Sequence, residues 1–303
     1  MSALSFDEFR GMLLKYWGYS WKIHYDKVVI KCASVQPPTV FIKGQHFPSM
    51  LGCEPILAGP SMTYCVGVKL KRGLIFMSDT RTNAGVDDIA QVRKVHNWQV
   101  PGERAIVMLA AGNLATTQIV ASLLDERGRA TDDTPSVLNA TSMFQVASLI
   151  GDTLREVINR YSPMSTPGAS PFAATFIVGG QVQDAEPRLF FVYPEGNFIE
   201  AGEDNPFFQS GETKYGRPML VRALDTSMTF EAAIKLLCVS FDSTIRANAG
   251  VDLPIDLRVV PTFEKRISIE RRFERDDPYY SQVSTEWSEA LNEALSFLPD
   301  FKF

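Results

Sequence analysis

The sequence predicts an α+β fold, a four-layer αββα sandwich of two antiparallel sheets. Three observations carry that prediction. Short β-branched and aromatic runs come in pairs, helical apolar stripes come in pairs, and the pairs alternate in the order ββββ, αα, ββ, αα, ββ, α. Successive βαβ units would instead alternate single strands with single helices. Paired elements suit two antiparallel sheets face to face with helices outside.

The elements follow in order. Residues 63–70 and 73–78 read as strands joined at Lys71-Arg72, a hairpin. After a polar loop, 94–98 and 105–111 form a second pair across Val100-Pro101-Gly102. Residues 114–125 carry Leu114, Ile119, Val120, Leu123 and Leu124 at helical spacing. A loop over 126–139 precedes Ser142, which fits an N-cap for a helix with Met143, Val146, Ala147, Ile150, Leu154 and Val157 on one face. Strands follow at 172–182 and 188–200, then helices at 212–224 and 229–247, the second with Phe230, Ile234, Leu237, Phe241 and Ile245 aligned. Residues 256–263 and 266–273 form a last strand pair, and Trp287, Leu291, Leu295 and Leu298 mark a terminal helix.

Composition narrows the function classes. The chain has 303 residues, 45% apolar and 21% charged, ordinary for a globular protein with a substantial core. A net charge of −5 leaves no basic excess for phosphates, so nucleic acid is not an expected partner. No apolar run is long enough to span a bilayer, and Asp7 and Glu8 sit where a signal peptide would be apolar, so neither membrane nor export is expected. Cys32, Cys53, Cys65 and Cys238 are scattered, as are His24, His46 and His96. They read as neither a disulfide framework nor a metal cluster, and a reducing cytoplasm fits them.

Composition also shifts near Met62. Residues 1–62 carry six Lys/Arg and four Asp/Glu, a net +2, leaving −7 for the rest. They hold five prolines, with a short helix expected near residues 6–17 and an apolar run at 28–30, but no sustained periodicity. The expected division is therefore an N-terminal extension over 1–62 and one domain over 63–303.

Four motifs then stand in order: TYCVGVKLKRGLIFMSDTRTNAGVDD at 63–88, Arg93-Lys94-Val95, Gly112 after Ala110-Ala111, and SFDSTIRAN at 240–248. Taken singly they are bland. Asp79 ends a strand, Lys94 is a solvated lysine, and Gly112 and Ser210 each fit a helix N-cap. Together, over about residues 62–303, they resemble the proteasome β-type subunits among the N-terminal nucleophile hydrolases. The bacterial Anbu (ancestral β-subunit) proteins are the nearer likeness.

That resemblance implies a threonine-nucleophile amide-bond hydrolase. Thr63 would be the nucleophile, Lys94 would tune pKa values, Asp79 would hold Lys94, and the Gly112 N–H would bind the oxyanion. Ser210 and Asp242 would form a network near the nucleophile's amine. The family's second supporting serine is matched here by Ile245, with Ser243 close by, and Ala110 would line the pocket for the residue before the scissile bond. The chemistry is coherent, because a hydroxyl is a weak nucleophile that needs a base in reach. An α-amine titrates at roughly 7.7–8.0 and could be that base only if Thr63 is the first residue.

No metal or organic cofactor is required. The substrate would be a peptide or other amide, and the subunits would self-assemble into a ring or an open helical array. Two alternatives remain: an amidase or acyltransferase acting on a small amide or peptide conjugate, and a non-catalytic assembly subunit if Thr63 stays internal. The free amine could arise by propeptide cleavage before Thr63. The favoured route is initiation at Met62 followed by methionine removal.

Overall fold

The structure, a computed structural model, describes residues 63–83 and 89–303. The extension, with its expected helix and apolar run and with Cys32, Cys53, His24 and His46, lies outside the described residues.

Two five-stranded antiparallel sheets make the middle layers. The first runs β10-β1-β2-β11-β12, from β1 (Tyr64–Leu70), β2 (Gly73–Asp79), β10 (Phe207–Gly211), β11 (Ile255–Pro261) and β12 (Ile269–Phe273). The second runs β5-β6-β7-β8-β9, from β5 (Val95–Val100), β6 (Arg104–Gly112), β7 (Ala174–Val182), β8 (Arg188–Val192) and β9 (Phe198–Glu200). A small hairpin of β3 (Arg81–Asn83) and β4 (Ile89–Gln91) stands apart.

Helices α1 (Leu114–Arg129) and α2 (Met143–Tyr161) cover the second sheet. Helices α3 (Arg217–Ala223) and α4 (Phe230–Ala247) cover the first, and α5 (Pro278–Ser296) packs on α4. Side-chain oxygens of Asn113, Ser142, Thr229 and Asp277 cap α1, α2, α4 and α5 by accepting a backbone N–H of the first turn.

Three apolar layers result, as a four-layer sandwich requires. Period-2 alternation explains why the central strands read as unbroken apolar runs. In β2, Ile75 and Met77 face the helices while Leu74 and Phe76 face the other sheet. In β6, Ile106 and Met108 face α1 and α2, and Ala105, Val107 and Leu109 face inward. Glycines allow close approach between the sheets. A β-carbon on Gly67 would lie 2.6 Å from Ile177 Cγ2 of the opposite sheet, and one on Gly179 would lie 3.0 Å from Phe76 Cζ.

The structure revises three elements. Residues 207–211 form an edge strand, β10, and the helix expected from 212 begins only at Arg217, with Pro218 in its first turn. The expected strand at 188–200 is two strands, β8 and β9, joined by a turn at Pro194-Glu195-Gly196. The terminal helix starts at Pro278, and Leu291, Leu295 and Leu298 on its marked stripe are exposed among the described residues.

Candidate active site

Thr63 stands immediately before β1, 8% exposed. The peptide joining it to Tyr64 is held at both of its polar groups. Tyr64 N–H donates to Asp79 Oδ1 at 2.9 Å, and the Thr63 carbonyl accepts the Glu212 N–H at 2.6 Å. Asp79 reaches this position because it ends β2, the antiparallel neighbour of β1.

Asp79 is fully buried and accepts three donors. Besides Tyr64, the Lys94 ammonium donates to Oδ1 at 2.7 Å and the Arg81 N–H donates to Oδ2 at 3.2 Å. Burial raises its carboxyl to about 6, opposed by Lys94 and the two backbone N–H groups. Lys94, 6% exposed, also donates to the Arg81 carbonyl at 2.6 Å. It immediately precedes β5, and its own carbonyl accepts the Ala110 N–H of β6, so the second sheet delivers the ammonium to a carboxylate of the first. Such a buried pair persists when further hydrogen bonds support it, and here both Asp79 oxygens accept and the ammonium has a second acceptor in the Arg81 carbonyl.

Ser210 and Gly112 meet on the other side. A cavity of about 320 Å³ is lined by Ala111, Gly112, Thr175, Phe191, Ser210 and Gly211 among others, and among the described residues no charged side chain lines it. Gly112 has φ +106°, and a β-carbon there would lie 2.6 Å from the Ala173 carbonyl oxygen, so the position requires glycine. Ser210 is paired with Cys65 across β10 and β1, and its Oγ lies 2.6 Å from Thr175 Oγ1 of the opposite sheet. Gly211, next along, packs directly on Thr63.

The structure thus brings Thr63, Asp79 and Lys94 together, and places Ser210 and Gly112 on one cavity next to Gly211. Asp242 is not part of this group. Its Oδ2 accepts from Arg246 Nε at 2.9 Å and its Oδ1 from Ser284 Oγ at 2.6 Å, tying α4 to α5. A carboxylate on this stretch of α4 faces α5, whereas Ser210 lies between the sheets. Ser243 likewise turns back to the Val239 carbonyl at 2.9 Å. Ala110 packs towards α1 and α2, and the next two residues, Ala111 and Gly112, line the cavity instead. Neither glycine nor serine is an N-cap: Asn113 caps α1, and Ser210 is in a strand.

Sequence reading missed Thr175, a lone hydroxyl in an apolar strand whose register places it opposite Ala111. It also missed the hold of Glu212 on Thr63, since a backbone donor leaves no mark in side-chain chemistry. Cys65, beside the site, is fully buried, and burial pushes its thiol well above the ordinary range, so it stays protonated.

Comparison with known proteins agrees with this architecture. The proteasome subunit family model matches residues 62–259. No curated protein matches the sequence significantly. Among solved structures, Anbu (ancestral beta-subunit) from Yersinia bercovieri is 42% identical with a TM-score of 0.75, covering 79% of this chain and 100% of that one. An Anbu (Gly-1) mutant from Hyphomicrobium sp. strain MC1 is 45% identical, TM-score 0.74, covering 80% and 100%. The Anbu complex from Pseudomonas aeruginosa, described as a helical assembly, is 42% identical, TM-score 0.73, covering 79% and 98%. With its two sheets, its helix layers and this match, the chain belongs to the proteasome subunit family, among the N-terminal-nucleophile-type proteins of its Anbu (ancestral β-subunit) branch.

Proposed function

We propose that the chain is a threonine-type amide-bond hydrolase whose active form begins at Thr63. The observation that carries this reading is the Asp79–Lys94 ion pair, buried at 2.7 Å, with Asp79 also holding the peptide of the residue that would be the nucleophile. An ammonium in that position favours the deprotonated states of a neighbouring hydroxyl and amine.

In the reaction, Thr63 Oγ1 attacks the substrate carbonyl while the α-amine of Thr63 takes its proton, directly or through a water. The Gly112 N–H receives the developing oxyanion. Collapse returns the proton to the leaving amine and leaves an ester on Oγ1. Water, activated by the same amine, then hydrolyses that ester and restores the hydroxyl. Ser210 and Thr175 supply hydroxyls beside the path, and the uncharged cavity admits a small neutral substrate group. A peptide amide is the substrate class, and the subunits self-associate.

The free amine is the condition on all of this, because an acylated nitrogen has no lone pair for base work. The active form therefore does not carry residues 1–62. The test is covalent labelling of the protein carrying Thr63 at its N-terminus with a threonine-directed β-lactone, read by intact mass and peptide mapping. Labelling at Thr63, lost on Thr63→Ala, is expected. A label that persists in that variant, or that maps to Cys65, overturns the assignment.

A further inference from the structure

Glu212 does more than lend a backbone N–H. It is only 9% exposed, and its carboxylate is held on both oxygens. Oε1 accepts the Lys214 N–H at 3.0 Å, and Oε2 accepts Asn248 Nδ2 at 2.9 Å. Asn248 is itself fixed. It is the C-cap of α4, its N–H donates to the Thr244 carbonyl at 2.8 Å, and its Oδ1 accepts the Gly250 N–H at 2.8 Å. The amide can point only one way, oxygen to Gly250 and nitrogen to Glu212. An unbroken line of hydrogen bonds therefore runs from the end of α4 through Asn248 and Glu212 to the Thr63 carbonyl.

We propose that Glu212 and Asn248 are a pair of positioning residues for Thr63, an inference that rests on Thr63 being the nucleophile. Gly211 ends β10 at φ +85°, and beyond it the chain leaves the sheet. The end of an edge strand is free to fray unless something ties it down. The carboxylate–amide bond is that tie, and through it the Glu212 N–H stays on the Thr63 carbonyl. With Asp79 holding the adjoining Tyr64 N–H, both polar groups of the 63–64 peptide are fixed, and with its plane the Thr63 Cα is fixed too. The carbon that carries the hydroxyl and amine of Thr63 then keeps one place beside the Asp79–Lys94 pair. Neither Glu212 nor Asn248 needs to touch substrate for this.

The experiment uses the protein with Thr63 at its N-terminus, a span comparable to that of the solved relatives, and the β-lactone as probe. Glu212→Gln would set an amide nitrogen against either the Lys214 N–H or the Asn248 side-chain N–H₂. Asn248→Asp would set two carboxylates face to face. Each single change is expected to lower the maximal rate of acylation at Thr63 by about 10- to 100-fold, with the half-saturating probe concentration little changed. The double variant Glu212→Gln/Asn248→Asp exchanges donor for acceptor, preserves every bond of the network, and is expected to return the rate to within about threefold of the parent.

Single variants acylated at the parent rate would refute the inference, as would a double variant as slow as either single one. A parent that is itself never acylated would refute the nucleophile reading and this inference with it. A parent that reacts beside unimpaired single variants would refute this inference alone.

Discussion

Gly211 has no room for a side chain, because the space belongs to Thr63: a β-carbon at 211 would run into the Thr63 carbonyl and lie 3.2 Å from the Thr63 β-carbon. The backbone at 211 has φ +85°, which penalises any other residue independently. Gly211→Ala is accordingly expected to cost at least about 1–3 kcal/mol from the backbone conformation alone. The displaced Thr63 should also lose most of its acylation. Thermal unfolding and β-lactone labelling measure the two effects; a variant that labels at the parent rate would contradict the close packing.

Acid should weaken activity before it weakens the fold. The Asp79 carboxyl is raised to about 6 by burial, so below that pH it protonates and Lys94 loses its counter-ion. The acylation rate should fall as pH drops through about 6. For stability the sign is opposite. A carboxyl raised in the folded state contributes stability that is full below its ordinary range and lost as pH rises through about 6. Between pH 7 and 5 this group thus favours the folded state increasingly while activity declines. A pH–rate profile run beside pH-dependent urea unfolding tests it, and an acid limb unchanged in Asp79→Asn would count against Asp79 as its source.

Removing one partner of the buried pair should be costly in itself. Asp79→Asn removes the anion of the Lys94 ammonium and, unlike a protonated carboxyl, sets an amide nitrogen that cannot accept against the donors of Tyr64, Arg81 and Lys94, for an expected loss of about 3–5 kcal/mol. Lys94→Met is expected to be milder, since Asp79 keeps two backbone N–H donors and can take up a proton. Urea midpoints of the two variants give the ranking, and the reverse order would be the failure.

Asp242→Ala should act on the outer helices and not on the chemistry. Its partners are Arg246 and Ser284, with Arg246 largely solvent-exposed, so the expected destabilisation is about 1 kcal/mol. The acylation rate at Thr63 should stay within about twofold of the parent. A tenfold loss without unfolding would place Asp242 back in the catalytic network.

Tyr64→Phe isolates the packing behind the nucleophile. The buried Tyr64 hydroxyl accepts from Gln209 Nε2 at 2.6 Å and lies 2.7 Å from Ser240 Oγ. Removing it strands a buried amide donor, with about 1–3 kcal/mol of stability expected to go. The Phe241 ring, 4.5 Å away, stays in contact, so a cost near zero would show the network to be dispensable.

Sequence legibility followed the physics of each element. The central strands were readable because burial on both faces makes them continuously apolar, as in β2 and β6. Edge strand β10 was not, because Phe207-Phe208 sits beside Gln, Ser and Gly and shows little strand character on its own. In the site, Thr63, Asp79 and Lys94 were singled out by resemblance to the family's ordered motifs, and the structure brings them together at the ends of the readable hairpins. Asp242, drawn from the same resemblance, lies apart from them, against Arg246 and Ser284. Helical phase shows that a residue is on a face, but not which neighbour covers that face, and here the neighbour is α5. Thr175 and Asn248 depend on register and on the course of a loop, which pairwise spacing does not encode.

Gly67 and Gly179 set how far apart the two sheets stand, and the site is assembled across that gap. Thr63, Asp79 and Ser210 are carried by one sheet, Lys94, Gly112 and Thr175 by the other. A methyl group added at Gly67 would wedge against Ile177 without touching any of the six. It would nonetheless widen the separation between hydroxyl and ammonium. The centre works like a vernier: its setting is the alignment of two surfaces, and it can be detuned from the far end of either scale.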